Sequence, residues 1–262
     1  MPYADVNGQR LFYEDTGGDG PPLVFSHGFL MDHEMFRHQV AELAPRYRVV
    51  TWDERGFGRT ETDGQPFSYW DSARDLFGLL DTLGIERAVL TGMSQGGYLS
   101  LRAALLHPDR VRALVLIDTQ APPEDDDKIA GYRAMIDTWV ENGYQEELAT
   151  VVAGLIIGDP DEEPRWKAKW AEWPAERLVT AAPALLDRDD ISDRLHEIDA
   201  PTLIVHGSQD LAIPVERAEQ LRDGIRDSRG LVVVEGAAHA TNLSHPDEVN
   251  AALRDFLEGL PA

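Results

Sequence analysis

The 262-residue chain contains no cysteine. That excludes disulfides, thiolate zinc sites, iron–sulfur clusters and a thiol nucleophile. Long apolar runs are missing too; none approaches the roughly 18 residues of a membrane span. Basic residues are scarce: 24 Lys and Arg stand against 47 Asp and Glu, a formal charge of −23. A surface of that sign repels nucleic acid and anionic lipid, so neither is expected as a partner. The opening stretch, MPYADVNGQRLFYEDTG, lacks a basic segment followed by an apolar one, so no secretory signal is read there and a cytoplasmic protein is expected.

What is present is an ordinary globular composition, 43% hydrophobic, with a length that suits one large domain or a core carrying an insertion. The first half alternates short apolar runs with helical spacing. Tyr3–Val6 and Gln9–Asp15, split by Asn7-Gly8, read as a hairpin. Pro22–Ser26, Tyr47–Trp52, Arg87–Thr91 and Val111–Ile117 read as strands. The first of these is a continuous apolar run, as in a strand buried on both faces. Helices are expected around Phe36, Val40 and Leu43, along Ala73–Leu83 with Ser68 and Asp71 at its start and Gly84 at its end, and over Gln95–Leu106. The alternation implies a mostly parallel sheet with helices on both faces.

The rhythm stops after Asp118. The stretch APPEDDDK reads as an exposed linker, with Glu124–Asp127 a solvated acidic run rather than a metal site. A helical, acidic, Trp-rich segment follows. Strands and helices resume at Pro201–Val205, Pro214, Leu231–Glu235 and Pro246–Leu257. The expected division is a core of residues 1–121 and 191–262 and a helical cap of residues 122–190, within ordinary domain sizes.

Gly92-Met93-Ser94-Gln95-Gly96 fits the pattern G-x-S-x-G. It follows an apolar strand and opens a helix. A strand-to-helix turn that sharp leaves no room for side chains two positions either side of the serine, hence the glycines. The helix N-terminus behind Ser94 favours developing negative charge.

With Ser26-His27-Gly28-Phe29, Asp53–Thr60, Gly92–Gly97, His206–Asp210 and Gly236–His239 in order, the chain resembles the α/β-hydrolase superfamily. It is most similar to the bacterial esterase branch with 3-oxoadipate enol-lactonases and cofactor-free haloperoxidase-like esterases. The resemblance implies a mostly parallel eight-stranded sheet flanked by helices, with an inserted helical cap. It implies Ser94 as nucleophile, and it implies His239 as base, one of eight histidines, on the loop after the last strand. Such a base must overhang the nucleophile within hydrogen-bond reach. The acid that orients it is Asp210, after the seventh strand, with Asp118, after the sixth, in reserve. The order Ser94, Asp210, His239 is that of this fold. The oxyanion donors implied are the backbone N–H groups of Phe29 and Gln95. Asp53 and Arg55 are read as braces of a glycine turn.

In the cap, Trp166, Trp170 and Trp173 share one helix face, and Met135, Ile136, Trp139 and Val140 share another. These faces pack the cap onto the core. Leu30, Trp139, Trp166 and Trp170 are the candidates for lining an apolar substrate pocket. Arg133 is a cap cation that could receive a substrate carboxylate. The expected activity is hydrolysis of small to medium esters or lactones through an acyl-enzyme, with no cofactor and no metal. A serine nucleophile counts against halide displacement and epoxide opening, which in this superfamily use aspartate. Relatives that perform perhydrolysis often carry proline at the position of Leu30. Carbon–carbon bond hydrolysis and perhydrolysis remain alternatives on the same fold. A ligand-binding signalling role with a retained triad is the alternative of another class.

Overall fold

In a computed structural model, the structure describes residues 2–261. Eight strands form one sheet: β1 Tyr3–Val6, β2 Gln9–Asp15, β3 Pro22–Ser26, β4 Arg48–Trp52, β5 Ala88–Met93, β6 Val111–Ile117, β7 Thr202–Gly207 and β8 Ser228–Val234. Their spatial order is β1-β2-β4-β3-β5-β6-β7-β8. β1 pairs antiparallel with β2, and β2 with β4; every later pairing is parallel.

The helices are α1 Arg37–Leu43, α2 Tyr69–Thr82, α3 Gln95–Leu106, α4 Asp126–Asn142, α5 Glu146–Ile156, α6 Glu163–Glu172, α7 Leu178–Leu186, α8 Val215–Gly224, α9 Thr241–Ser244 and α10 Pro246–Glu258. The start of α2 is set locally. Ser68 and Asp71 form the capping box read from the sequence, and Gly84, at φ 66°, follows the last turn.

The central strands are buried on both faces, which explains their unbroken apolar runs. Alternate residues of β6 serve two cores. Leu114 and Leu116 pack with α2, α3 and α8; Ala113, Val115 and Ile117 pack with α1 and α10. That second core continues into the inserted helices α4–α7 through Trp139, Trp166, Trp170 and Leu178. No strand interrupts these four helices, which lie between β6 and β7.

The sheet reverses its winding at β3, which has β4 on one side and β5 on the other. Loops leaving β3 and β5 therefore diverge and open a crevice at the carboxyl ends of the strands, the general place for ligands in such sheets. Among the described residues, no helix is long and apolar enough to cross a membrane.

Candidate active site

Ser94 stands at the tip between β5 and α3 with φ 50° and ψ −113°, a conformation that L-residues rarely adopt. Neighbouring bonds hold it there. Its N–H donates to Ile117 O at 2.9 Å, and the Thr119 hydroxyl donates to its carbonyl at 2.7 Å. The glycines are required by backbone contact. A Cβ on Gly92 would lie 2.0 Å from Gly96 O, and one on Gly96 would lie 1.9 Å from Ser26 O. Strain of this kind costs on the order of 1–3 kcal/mol and persists only where the surroundings impose it.

His239 sits in the loop between β8 and α9, and its Nδ1 is 2.7 Å from Asp210 Oδ2. The other oxygen of Asp210 accepts the N–H groups of Ala212 and Ile213 at 2.8 and 2.9 Å, which fixes the carboxylate in its loop. Burial disfavours a charged His239, but the Asp210 carboxylate beside it outweighs burial and raises its pKa above the ordinary imidazole value. Burial likewise disfavours a charged Asp210, and His239 reverses the balance, lowering the Asp210 pKa.

The reserve acid, Asp118, does not hydrogen-bond His239. It is fully buried and accepts three bonds: from Gly207 N at 2.8 Å, Thr241 N at 3.1 Å and the Thr241 hydroxyl at 3.0 Å. Burial pushes its carboxyl well up, and the Asp210 charge adds to the effect.

The Gln95 N–H opens α3 and so has no intrahelical acceptor. Phe29 follows Gly28 in the loop after β3, and among the described residues its N–H has no acceptor either. Asp53 braces the turn as read from sequence: it accepts from His33 N, His33 Nδ1 and Arg59 N, each at 2.7 Å. Arg55 does not; it reaches away to form a two-pronged ion pair with Asp75 of α2.

Ser94 and His239 border one cavity that opens to solvent. Its wall is mostly apolar: Phe29 and Leu30 from the core, Met135, Ile136 and Trp139 from α4, and Val152, Leu155, Ile156, Leu178 and Leu185 from α5 and α7. Three polar side chains, Tyr98, Glu124 and Tyr132, interrupt it.

Of the four pocket candidates, Leu30 and Trp139 line this cavity and Trp166 and Trp170 do not. The latter pair is buried between cap and core, where Trp170 packs edge-on against Trp139 and donates from Nε1 to Leu30 O at 2.7 Å. Helical spacing puts residues on one face without saying which end of that face meets the cavity. Arg133 is also outside it: its side chain is 51% exposed and bonds Asp187.

The acidic run is corrected as well. Asp125–Asp127 are exposed, but Glu124 is 9% exposed and faces the cavity. Gln120 and Arg188 pin it, and Arg188 is 64 residues away, so no local signal reveals the pairing.

A family model described as alpha/beta hydrolase fold matches residues 21–246. A putative non-heme chloroperoxidase of Synechocystis sp. is 31% identical, with 98% of this chain and 100% of that protein aligned. A thermophilic esterase from Thermogutta terrifontis superposes with a TM-score of 0.90 at 28% identity over 99% of this chain and 98% of that one. The enol-lactonase from Burkholderia xenovorans gives 0.87, also at 28% identity, over 98% of this chain and 100% of that one. An elbow serine, a buried histidine–aspartate pair and a sheet of this order thus occur in a chain that belongs to the α/β-hydrolase superfamily.

Proposed function

We propose that this α/β-hydrolase is a serine carboxylester hydrolase acting on small to medium esters or lactones. The observation that carries the reading is Ser94, strained at its elbow, on one cavity with a histidine already bonded to a buried carboxylate. Ser94 Oγ attacks the ester carbonyl while His239 takes its proton. Asp210 holds the imidazole by Nδ1, so Nε2 is the nitrogen that works, and Asp210 stabilises the imidazolium that forms. The free N–H groups of Phe29 and Gln95 receive the developing oxyanion. His239 then protonates the departing alkoxide. Water, deprotonated by His239 in turn, releases the acid and regenerates Ser94.

The esterase and enol-lactonase among the similar structures support this class. The apolar wall supports an uncharged acyl or alcohol group. Leu30 bears on perhydrolysis. Its φ is 62°, which a proline ring, locked near −65°, cannot take, so proline could replace Leu30 only if this loop changed its backbone.

The test is a burst assay with short- and medium-chain p-nitrophenyl esters, comparing the wild type with Ser94→Ala. A burst followed by turnover, both lost in the variant, is the expected result. Failure to turn over any ester would overturn the reading. It would favour carbon–carbon bond hydrolysis, assayed with a ring-cleavage dienone, or a ligand receptor.

A further inference from the structure

The cavity has one carboxylate in its wall, and that carboxylate is half used. Glu124 Oε1 accepts from Gln120 Nε2 at 2.6 Å and from Arg188 Nη2 at 3.3 Å. Glu124 Oε2 has no hydrogen-bond partner among the described residues; the residue is nine-tenths buried, and this oxygen is the part of it left open on the cavity wall. An accessible carboxylate oxygen in a mostly apolar cavity is an acceptor that a ligand's donor can take over from cavity water.

The group is built in rather than stray. Arg188 is itself 8% exposed. It donates to Leu185 O at 2.8 Å and Pro122 O at 3.1 Å, and its guanidinium lies 4.3 Å from the centre of the Tyr98 ring. Those bonds tie the end of α7 to the segment that carries Glu124, so the carboxylate cannot swing out to solvent without breaking them. Arg188 does not itself line the cavity, so its guanidinium is not presented to a ligand carboxylate there.

We propose that Glu124 is a specificity-determining residue, selecting uncharged esters or lactones whose acyl or alcohol part carries a hydrogen-bond donor such as a hydroxyl, and rejecting carboxylate-bearing ones. The inference rests on the ester-hydrolase reading above. It extends that reading in a direction the apolar wall alone would not suggest. In a wholly apolar cavity, adding a hydroxyl to the substrate loses its hydration and lowers kcat/KM. With Glu124 Oε2 as acceptor, the same hydroxyl gains a charge-assisted bond, about tenfold or more in binding.

Glu124→Gln is the informative substitution. Gln120 Nε2 and Arg188 Nη2 are both donors, so the new amide keeps its oxygen towards them and turns its NH₂ to the cavity. The acceptor becomes a donor with no change of size. Arg188 also loses its counter-charge.

The experiment compares kcat/KM for p-nitrophenyl esters in matched pairs: butanoate with 3-hydroxybutanoate, and hexanoate with 6-hydroxyhexanoate and with the monoester of adipic acid. In the wild type, at least one hydroxy ester is expected to exceed its alkyl partner by about tenfold, and the adipate monoester to fall at least tenfold below hexanoate. In Glu124→Gln the hydroxyl advantage shrinks, because a hydroxyl can still accept from the new NH₂ but the bond is no longer charge-assisted, and the adipate deficit narrows about tenfold.

Hydroxy esters that are all poorer than their alkyl partners in the wild type would overturn the proposal, and this arm needs no variant. Unchanged ratios in a folded Glu124→Gln protein would overturn it too, leaving Glu124 as a brace for Arg188. If no ester is turned over, the esterase reading fails by itself. Calorimetric binding of the methyl-ketone analogues of the same acids then carries the comparison, with the same preference expected and its absence decisive against Glu124.

Discussion

Thr241 gives both its N–H and its hydroxyl to Asp118, while His239, two residues earlier on the same loop, turns to Asp210. Two buried carboxylates thus divide one loop between them: Asp118 positions the backbone and Asp210 holds the imidazole. Asp210→Asn should lower kcat by about 10³–10⁴, because an amide in this place favours the wrong tautomer of His239. Asp118→Asn should act on stability instead. Both of its oxygens accept from the protein, so the amide nitrogen must face a donor, at about 1–3 kcal/mol. Its kcat should stay within about tenfold of the wild type. Thermal melts and kcat for the two variants check this; a larger loss of kcat in Asp118→Asn would move the acid role there.

The pH dependence follows from the raised pKa of His239. On the proposed mechanism His239 works as the neutral imidazole, so kcat/KM should fall as pH drops through a value above the ordinary 6.5 or so. In Asp210→Asn the main influence that raises it is gone, and the acidic limb should move to lower pH even as the rate falls. Stability runs the other way. A histidine whose folded pKa lies above its unfolded one adds stability that is fully present below the unfolded pKa and is lost as pH rises through the folded pKa. The pair therefore stabilises most on the acid side, where the enzyme works least. Rate and melting profiles measured together from pH 5 to 9 would expose the opposition, and parallel curves would contradict it.

Much of this architecture was legible because the central strands are buried on both faces. Pro22–Ser26 and Val111–Ile117 form with the bounds that their apolar runs indicate. The edge was less legible. β8 begins at Ser228, three residues before the apolar run, because pairing with β7 rather than burial sets its start. The strand-to-helix turn around Ser94 is visible in sequence because backbone contact forces its glycines. The cavity wall is not visible. It is assembled from α4, α5 and α7, and the residues that matter there, Glu124 with Arg188 and Tyr98 with Tyr132, are set by contacts between distant segments. Trp166 and Trp170 show the same limit, since a stripe on a helix reports a buried face but not what the face meets.

Glu54 offers a test away from the chemistry. It is fully buried, neither carboxylate oxygen has a hydrogen-bond partner among the described residues, and burial, opposed by the Gln95 amide and reinforced by the nearby Asp75, pushes its pKa well above the ordinary value. Between the unfolded pKa and the raised folded one, folding therefore takes up a proton that the unfolded chain does not hold. For a group raised in the folded state, the favourable contribution is present below the unfolded pKa and lost as pH rises above it. Glu54→Gln needs no proton. Its melting temperature should exceed that of the wild type at pH 8, and the gap should close as pH falls towards about 4.5. A gap independent of pH would mean that Glu54 is not buried as a neutral acid.

Trp139 and Trp170 pack edge to face, 5.9 Å apart, yet they should fail in different ways. Trp139 faces the cavity, and its Nε1 makes no hydrogen bond among the described residues. Trp139→Phe loses no hydrogen bond and enlarges the cavity, so the preference among acyl chains should shift towards longer ones through KM, with kcat for short esters changed less than about threefold, as expected when only uniform binding is altered. Trp170 is outside the cavity, and its Nε1 holds the carbonyl of Leu30, a residue at positive φ beside the Phe29 N–H. Trp170→Phe removes that bond and lets the strained loop relax, so the loss should fall on kcat, with KM for short esters nearly unchanged. An oxyanion donor displaced from its place costs up to about 10²–10³ in rate, and a loosened one should cost a fraction of that, about tenfold. Steady-state kinetics on butanoate, hexanoate and octanoate esters separate the two patterns. If Trp170→Phe changed KM and chain preference while leaving kcat intact, the Leu30 loop would not be positioning the oxyanion donor.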